Sequence, residues 1–343
     1  MAARCMQCAR ANNNLATIIR RLVSPHHNIS SKSFCSPAKV PPDVLMSKAN
    51  DFSGKKSIIF ENNEVQNILK RLTGLNLEKV FKTRKENLKN PVYKVLDEQE
   101  LQQDEESVVK KAENLLKMPP VMARRKPIKV VLSEDPEIIN HDEDGANIVF
   151  TDISPSKDSR TRAVLVREND TGVLREGTWD ERDRMQFIYW PKEGQHHEIV
   201  PMLQDEHLPL VFDQLRHEDI LDFINIQCEP DAPDYIRVHE RVYDDLEQRQ
   251  MYHLLDSTRH YGGMVFYYVT RKKTNTLLGY YIRQNRISDG VDLIKLHLLV
   301  NADTSFKPDI LQGEELLKAY LTHEGLHDLL TIMEADADDA VST

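Results

Sequence analysis

The stretch that decides the fold is Glu229–Val269, EPDAPDYIRVHERVYDDLEQRQMYHLLDSTRHYGGMVFYYV. Pro230 and Pro233 fix φ and remove two backbone donors, so Glu229 to Asp234 reads as a turn-rich lead-in. Tyr235, Val238, Val242 and Leu246 then recur at helical steps. Asp256, Ser257 and Thr258 break the pattern as cap-type residues. A second apolar block, Tyr261 to Val269, follows, with Gly262 and Gly263 near its start. Paired glycines let another element come close but weaken a helix. The block packs Tyr261, Phe266, Tyr267 and Tyr268 into eight residues and meets basic Arg271, Lys272 and Lys273 directly afterwards. It is too short to span a bilayer. It reads as a buried helix, with a buried strand as the alternative, against which the C-terminal half packs. These four aromatics are candidate core or protein-interface residues.

Composition sets the frame. The 343 residues are 40% hydrophobic and 29% charged, enough to bury one or two cores. Twelve glycines and no GxGxxG or GxxxxGK[ST] argue against a phosphate-cradling loop. Net charge is −10, yet residues 1–42 hold no acid and six basic residues. Removing that +6 leaves −16 for the remainder. Such a body does not bind nucleic acid broadly, because phosphate neutralisation needs a basic surface. RNA contact must come from local patches. Cys5-x-x-Cys8 lacks the further ligands a zinc site needs, Cys35 being a poor supply, and Cys228 reads as a lone core thiol.

Residues 1–35 are basic and acid-free, with Leu15 to Leu22 able to form an amphipathic turn, the composition of a mitochondrial transit peptide. Residues 36–60 read as a linker. Residues 61–127 form an N-terminal helical region. There Asn62 or Asn63 caps a helix bearing Val65, Ile68, Leu69 and Leu72, with Gly74 at its end, and Asn76 caps a second bearing Leu77, Val80 and Phe81. Asp97 starts a long helix to about Lys117 with a stripe of Leu101, Val108, Val109, Ala112, Leu115 and Leu116.

Residues 128–200 form a small β-sheet plus helix region. Ile128–Leu132, Asn147–Ile153 and Ala163–Val166 are β-rich, Asn169 to Gly172 is a hairpin turn before Val173–Arg175, and Thr178 with Glu181 is a capping box. An aromatic RNA-recognition motif is missing from this sheet. Residues 201–333 form a C-terminal helical domain of hairpins ending in a helix from Glu314 to Met333, and 334–343 an acidic disordered tail. The fold class is therefore α+β, mainly helical, with a small antiparallel sheet in the middle and a helical-hairpin C-terminal half.

Two sets of residues carry candidate chemistry. His323-Glu324-Gly325-Leu326-His327 fits H-E-x-x-H, which on a helix places two imidazoles on one face for zinc with the carboxylate as base. Gly325 weakens such a helix, and Leu329 and Met333 stand where an extended motif needs Gly and His. The pairs His196-His197 and His239-Glu240 read as solvent-facing. Lys79, Lys82, Arg84, Lys85 and Lys89, then Arg124, Arg125 and Lys126, and finally Arg271, Lys272 and Lys273 are candidate rRNA-backbone contacts. The bland alternative for each is a solvated charged face.

Seven segments in order carry a family resemblance: NEVQNILKRLTGLNLEKVF (63–81), LKMPP (116–120), VFTDIS (149–154), TWDERDRM (178–185), WPKEG (190–194), EPDAPDYIRVHERVYDDL (229–246) and LLDSTRHYGGMVFYYV (254–269). The chain is similar, from about 63 to 300, to the mitochondrion-specific family of small-ribosomal-subunit protein twenty-two. The resemblance implies a structural constituent of the mitochondrial small ribosomal subunit, at its periphery and without a bacterial counterpart. It implies no enzymatic activity, no cofactor, no membrane and no small-molecule substrate. The partners implied are other small-subunit ribosomal proteins in the matrix, with rRNA contacted locally. Two other readings remain: a matrix zinc-dependent hydrolase using HEGLH, and a free helical adaptor for RNA-processing factors.

Overall fold

The computed structural model describes residues 57–82, 93–140, 145–153, 162–301, 306, 311 and 313–333. The leader, the Cys5-x-x-Cys8 pair and the acidic tail lie outside these. The chain divides into two compact units, one containing Lys126–Glu198 and the other Pro42–Arg125 with Ile199–Thr343.

The smaller unit is a four-stranded antiparallel sheet of β1 (Val131–Glu134), β2 (Ile148–Thr151), β3 (Val164–Arg167) and β4 (Val173–Glu176), in the order β1-β4-β3-β2. The hairpin turn joins β3 to β4 as the sequence predicts, with Gly172 at φ 65°. The first strand begins three residues later than its apolar run. Its register against β4 shifts between Val131 and Ser133, so the ladder forms only where β4 supplies partners. The helix Trp179–Tyr189 starts on the expected capping box. Thr178 N–H donates to Glu181 Oε2 at 2.7 Å, and Arg175 grips the same carboxylate at 2.8 and 2.9 Å. Its third nitrogen reaches Glu168 at 2.7 Å, tying the hairpin to the helix.

In chain order the helices are α1 (Asn63–Thr73), α2 (Leu77–Val80), α3 (Glu98–Leu115), α4 (Trp179–Tyr189 of the sheet unit), α5 (Leu208–Asp213), α6 (His217–Gln227), α7 (Pro233–Arg249), α8 (Tyr261–Thr270), α9 (Asn275–Arg283), α10 (Ile287–Val300) and α11 (Glu314–His323). Asn62 caps α1 through its side chain and Gly74 ends it. The face Val65, Ile68, Leu69 and Leu72 is buried in the same core as α5 to α11. Helix α1 and the C-terminal hairpins therefore share one interior. Residues 57–60, taken by sequence as linker, are helical, and Phe60 packs edge-on against Phe266 at 5.0 Å.

Helix α8 settles the helix-or-strand question. Tyr261, Gly262, Met264, Val265, Phe266, Tyr268 and Val269 are all buried, so it is apolar on nearly every side. The glycines serve close approach. A Cβ at Gly262 would stand 2.1 Å from Met118 Sδ and 3.5 Å from Leu69 Cβ. Its phenols are satisfied internally: Tyr261 with Tyr281 at 2.6 Å, Tyr268 with the Tyr243 carbonyl at 2.6 Å, Tyr267 with Asp244 at 3.0 Å. Its start differs from expectation. His260 occupies the N-cap without a capping hydrogen bond, while the Ser257 N–H donates to the Thr73 carbonyl at 3.1 Å. Asp256 to Thr258 thus shape the approach to α8 rather than capping it, with Ser257 bonded to α1, Thr258 to the Leu255 carbonyl and Asp256 to Arg286. Cys228 forms no described disulfide and lies partly buried against the core.

Two other expectations are corrected. The α3 stripe is not a core face: only Ala112 is buried, while Leu101 and Leu115 are exposed. A capping box between Asp97 and Glu100 starts the helix locally. The final helix does not run to Met333. It stops at His323, and a separate helical stretch covers 327–333. Among the described residues no helix is long and apolar enough to cross a membrane.

If Gly262 exists for close approach, Gly262→Val overpacks the α1–α8 contact and costs about 2 kcal/mol. Urea denaturation should show the midpoint falling. An unchanged midpoint would mean that Met118 swings aside freely.

Candidate functional site

The backbone breaks the H-E-x-x-H match. After α11 the Gly325 N–H donates to the Thr322 carbonyl at 3.3 Å and the Leu326 N–H to the Leu321 carbonyl at 2.9 Å. Gly325 sits at φ 71°. This is a Schellman stop with glycine as the left-handed residue, a conformation costly for any side chain with a Cβ. His323 therefore closes one helix and His327 opens another. The two imidazoles do not share a helical face, which the zinc reading requires. His323 instead lies 5.3 Å from Phe306 and 3.3 Å from its neighbour Glu324. Among the described residues no group of three His, Cys, Asp or Glu is poised to hold a metal.

The histidines with perturbed chemistry lie elsewhere. His239, read by sequence as solvent-facing, is buried on α7. It comes four residues after Tyr235 and three before Val242, the period of the α7 core face, and that spacing was the signal. Its Nδ1 donates to the Tyr235 carbonyl at 2.9 Å and its ring lies 4.1 Å from the Tyr235 ring. Burial pushes its pKa down to about 3, helped by the neighbouring His260. His260 is itself only 1% exposed. Its Nε2 meets Asp222 Oδ1 at 2.8 Å, and Arg259 reaches the same oxygen at 2.6 Å. Desolvation outweighs that carboxylate, so the His260 pKa is also lowered. Tyr235 Oη donates to Asn225 at 2.9 Å, and His217 pairs with Asp245 at 2.8 Å while stacked on Phe212. These contacts join α6 to α7 and to the start of α8. The set resembles an active site in its residue types, but it is spent on holding helices together.

The basic clusters separate into used and unused charges. Lys79 is turned inward, its ammonium donating to the His253 and Leu254 carbonyls at 2.9 and 3.2 Å, and burial lowers its pKa. Arg271 binds Glu240 at 2.6 Å and lies over the Tyr267 ring at 4.8 Å. Lys273 binds Glu247 at 2.9 Å and approaches Asp244 at 3.7 Å. Both fasten the end of α8 to α7. Lys82, Arg124 and Lys126 are exposed, and Lys272 extends from an exposed left-handed position at φ 56°. The Arg125 N–H donates to the Asp231 carbonyl at 3.1 Å, anchoring its backbone. Arg84, Lys85 and Lys89 lie outside the described residues. Of the aromatics, Tyr261, Phe266 and Tyr268 are core and Tyr267 is partly buried.

A surface groove of about 440 Å³ runs between α1 and α10, with Ile68, Leu298 and Leu299 as its apolar lining and Glu64, Arg71 and Lys295 among its charged neighbours. Arg71 is held across it by Asp292 at 2.7 and 3.1 Å. The molecule thus offers internally paired polar clusters and a surface with exposed apolar side chains, the properties of a protein that docks.

Comparison with known proteins gives that class its setting. Residues 58–302 match the family model described as mitochondrial 28S ribosomal protein S22. The small ribosomal subunit protein mS22 of Bos taurus is 39% identical over 292 residues, covering 84% of this chain and 80% of that protein. The Mus musculus protein of the same name is 38% identical over 291 residues, covering 83% and 80%. The class is therefore a mitochondrial ribosomal protein. More particularly, the chain belongs to the mitochondrial ribosomal protein S22 family.

The buried histidines make a pH test. His239, with its pKa pushed down to about 3, is neutral when folded and regains an ordinary pKa near 6.5 on unfolding, and the His260 pKa is lowered in the same direction. Below that value the unfolded chain binds more protons, so stability falls as pH drops from 6.5 towards the folded value. The slope is at most about 1.4 kcal/mol per pH unit for each proton gained. His239→Gln should flatten the loss between pH 6.5 and 5 in denaturation series. An identical pH slope in the variant would contradict the assignment.

Proposed function

We infer that the chain is a structural constituent of the mitochondrial small ribosomal subunit. It supports subunit assembly and mitochondrial translation from within the mitoribosome, and it acts without an enzymatic reaction. The observation carrying this reading is the family match across 58–302, which spans most of the helical core. The physical reading agrees with it. An acidic body with paired internal charges and exposed apolar side chains suits protein–protein contact more than broad rRNA binding. The zinc hydrolase reading has no support once the Schellman stop parts its two histidines.

We place the local rRNA contacts on the basic side chains left exposed: Lys82, Arg124, Lys126 and Lys272. Arg84, Lys85 and Lys89 adjoin Lys82 in sequence and belong to the same proposal. Arg271 and Lys273 are weaker candidates, since their charges are already met by Glu240, Asp244 and Glu247.

On a sucrose gradient of mitochondrial lysate the chain should co-sediment with the small-subunit rRNA in stoichiometric amount. Confinement to the light soluble fractions would refute the structural role, and a substoichiometric share would favour the free-adaptor reading. Lys82→Glu combined with Lys272→Glu should weaken incorporation, most visibly at low salt, and make what remains less salt-sensitive. Incorporation indifferent to these reversals and to salt would mean that the residues only face solvent.

A further inference from the structure

The segment 93–106, which leads into α3 and forms its first half, is exposed at every residue. Tyr93 is 90% exposed, Val95 fully so, and Leu101 49%. Large apolar side chains gathered on one continuous stretch are costly to leave in water and mark contact sites. The charge of the stretch is one-sided. Asp97, Glu98, Glu100, Asp104, Glu105 and Glu106 stand against Lys94 alone, a net −5. On α3, Glu98, Asp104 and Glu105 lie three or four residues from Leu101 and so flank it on the same face. The only described ion pair in the stretch is Glu106 with Lys110, at 3.9 Å.

We propose that residues 93–106 are a docking surface for a lysine- and arginine-rich segment of another polypeptide in the particle, which lays apolar side chains on Tyr93, Val95 and Leu101 and cations on the flanking carboxylates. The proposal rests on the ribosomal reading above and adds the surface and the chemistry of its partner. Charge chooses among the occupants. Ribosomal RNA would bring phosphates against five net negative charges. A second copy of this chain would set −5 against −5. A basic polypeptide satisfies both the carboxylates and the apolar side chains. The C-terminal half of α3 packs through Ala112, which leaves the N-terminal half as the presented part.

The test places a photo-crosslinking phenylalanine analogue at Tyr93 or at Leu101 and illuminates intact, gradient-purified small subunits. The expected product joins this chain to a peptide of another protein with net positive charge. A crosslink to rRNA, to a second copy, to this chain itself or to a neutral or acidic peptide overturns the proposal, as does no crosslink. Should the unmodified chain be missing from the particles, the ribosomal reading fails instead. A second arm expresses Glu98→Lys, Asp104→Lys and Glu105→Lys together, in competition with the unaltered chain. These side chains are exposed, so thermal melting should not change. Occupancy in particles should fall about tenfold, which corresponds to about 1.4 kcal/mol lost across the three exposed charge pairs. A fall below threefold overturns the proposal. If the triple variant misfolds, Leu101→Ser carries the same expectation and the same threshold.

Discussion

The helical unit depends on one close approach, that of α1 and Met118 to α8 at Gly262. A helix apolar on nearly every side must be covered on nearly every side, and α8 is only ten residues long. Removing a Cβ lets neighbours sit near its backbone, and the chain uses this to bring residues 57–73 into the interior formed by α5 to α11. The remaining order follows. Ser257 hands its N–H to Thr73, Asn301 donates to the Val269 carbonyl at 2.9 Å, and Arg271 and Lys273 tie the far end of α8 to α7. A side chain at Gly262 would press first on Met118 and then on Leu69.

Much of this was legible in the sequence, for local reasons. Asn62, Asn76, Asp97 and Thr178 each begin a helix where their side chains accept a backbone N–H, and that rule needs no tertiary knowledge. The β3–β4 turn and the buried faces of α1 and α7 were equally readable. The failures came where tertiary contact decides. An apolar stripe on α3 says nothing of whether a partner exists within the chain. His239 looks polar by type and lies on the core face by spacing, and the spacing governs.

The functional reading divides in the same way. The H-E-x-x-H pattern is a statement about a helix, and Gly325 ends the helix inside the pattern. Hydrogen bonds from Gly325 and Leu326 decide the matter, while the letters alone could only flag the glycine as a weakness. The basic clusters show the converse. Arg271, Lys272 and Lys273 are equivalent as sequence, yet two are absorbed by α7 carboxylates, which an acidic chain supplies in plenty. Family membership rested on segments with no catalytic pattern, and those segments are mostly packing and capping residues.

The tyrosines around α8 have a practical corollary. Burial raises the phenol pKa of Tyr243, Tyr261, Tyr268 and Tyr281 above the ordinary value near 10. At a pH at or just above the ordinary phenol pKa of about 10, these rings stay uncharged while the interior is closed and ionise once water reaches them. Phenolate absorbance is therefore a built-in optical gauge of whether this interior is intact, and it needs no added label.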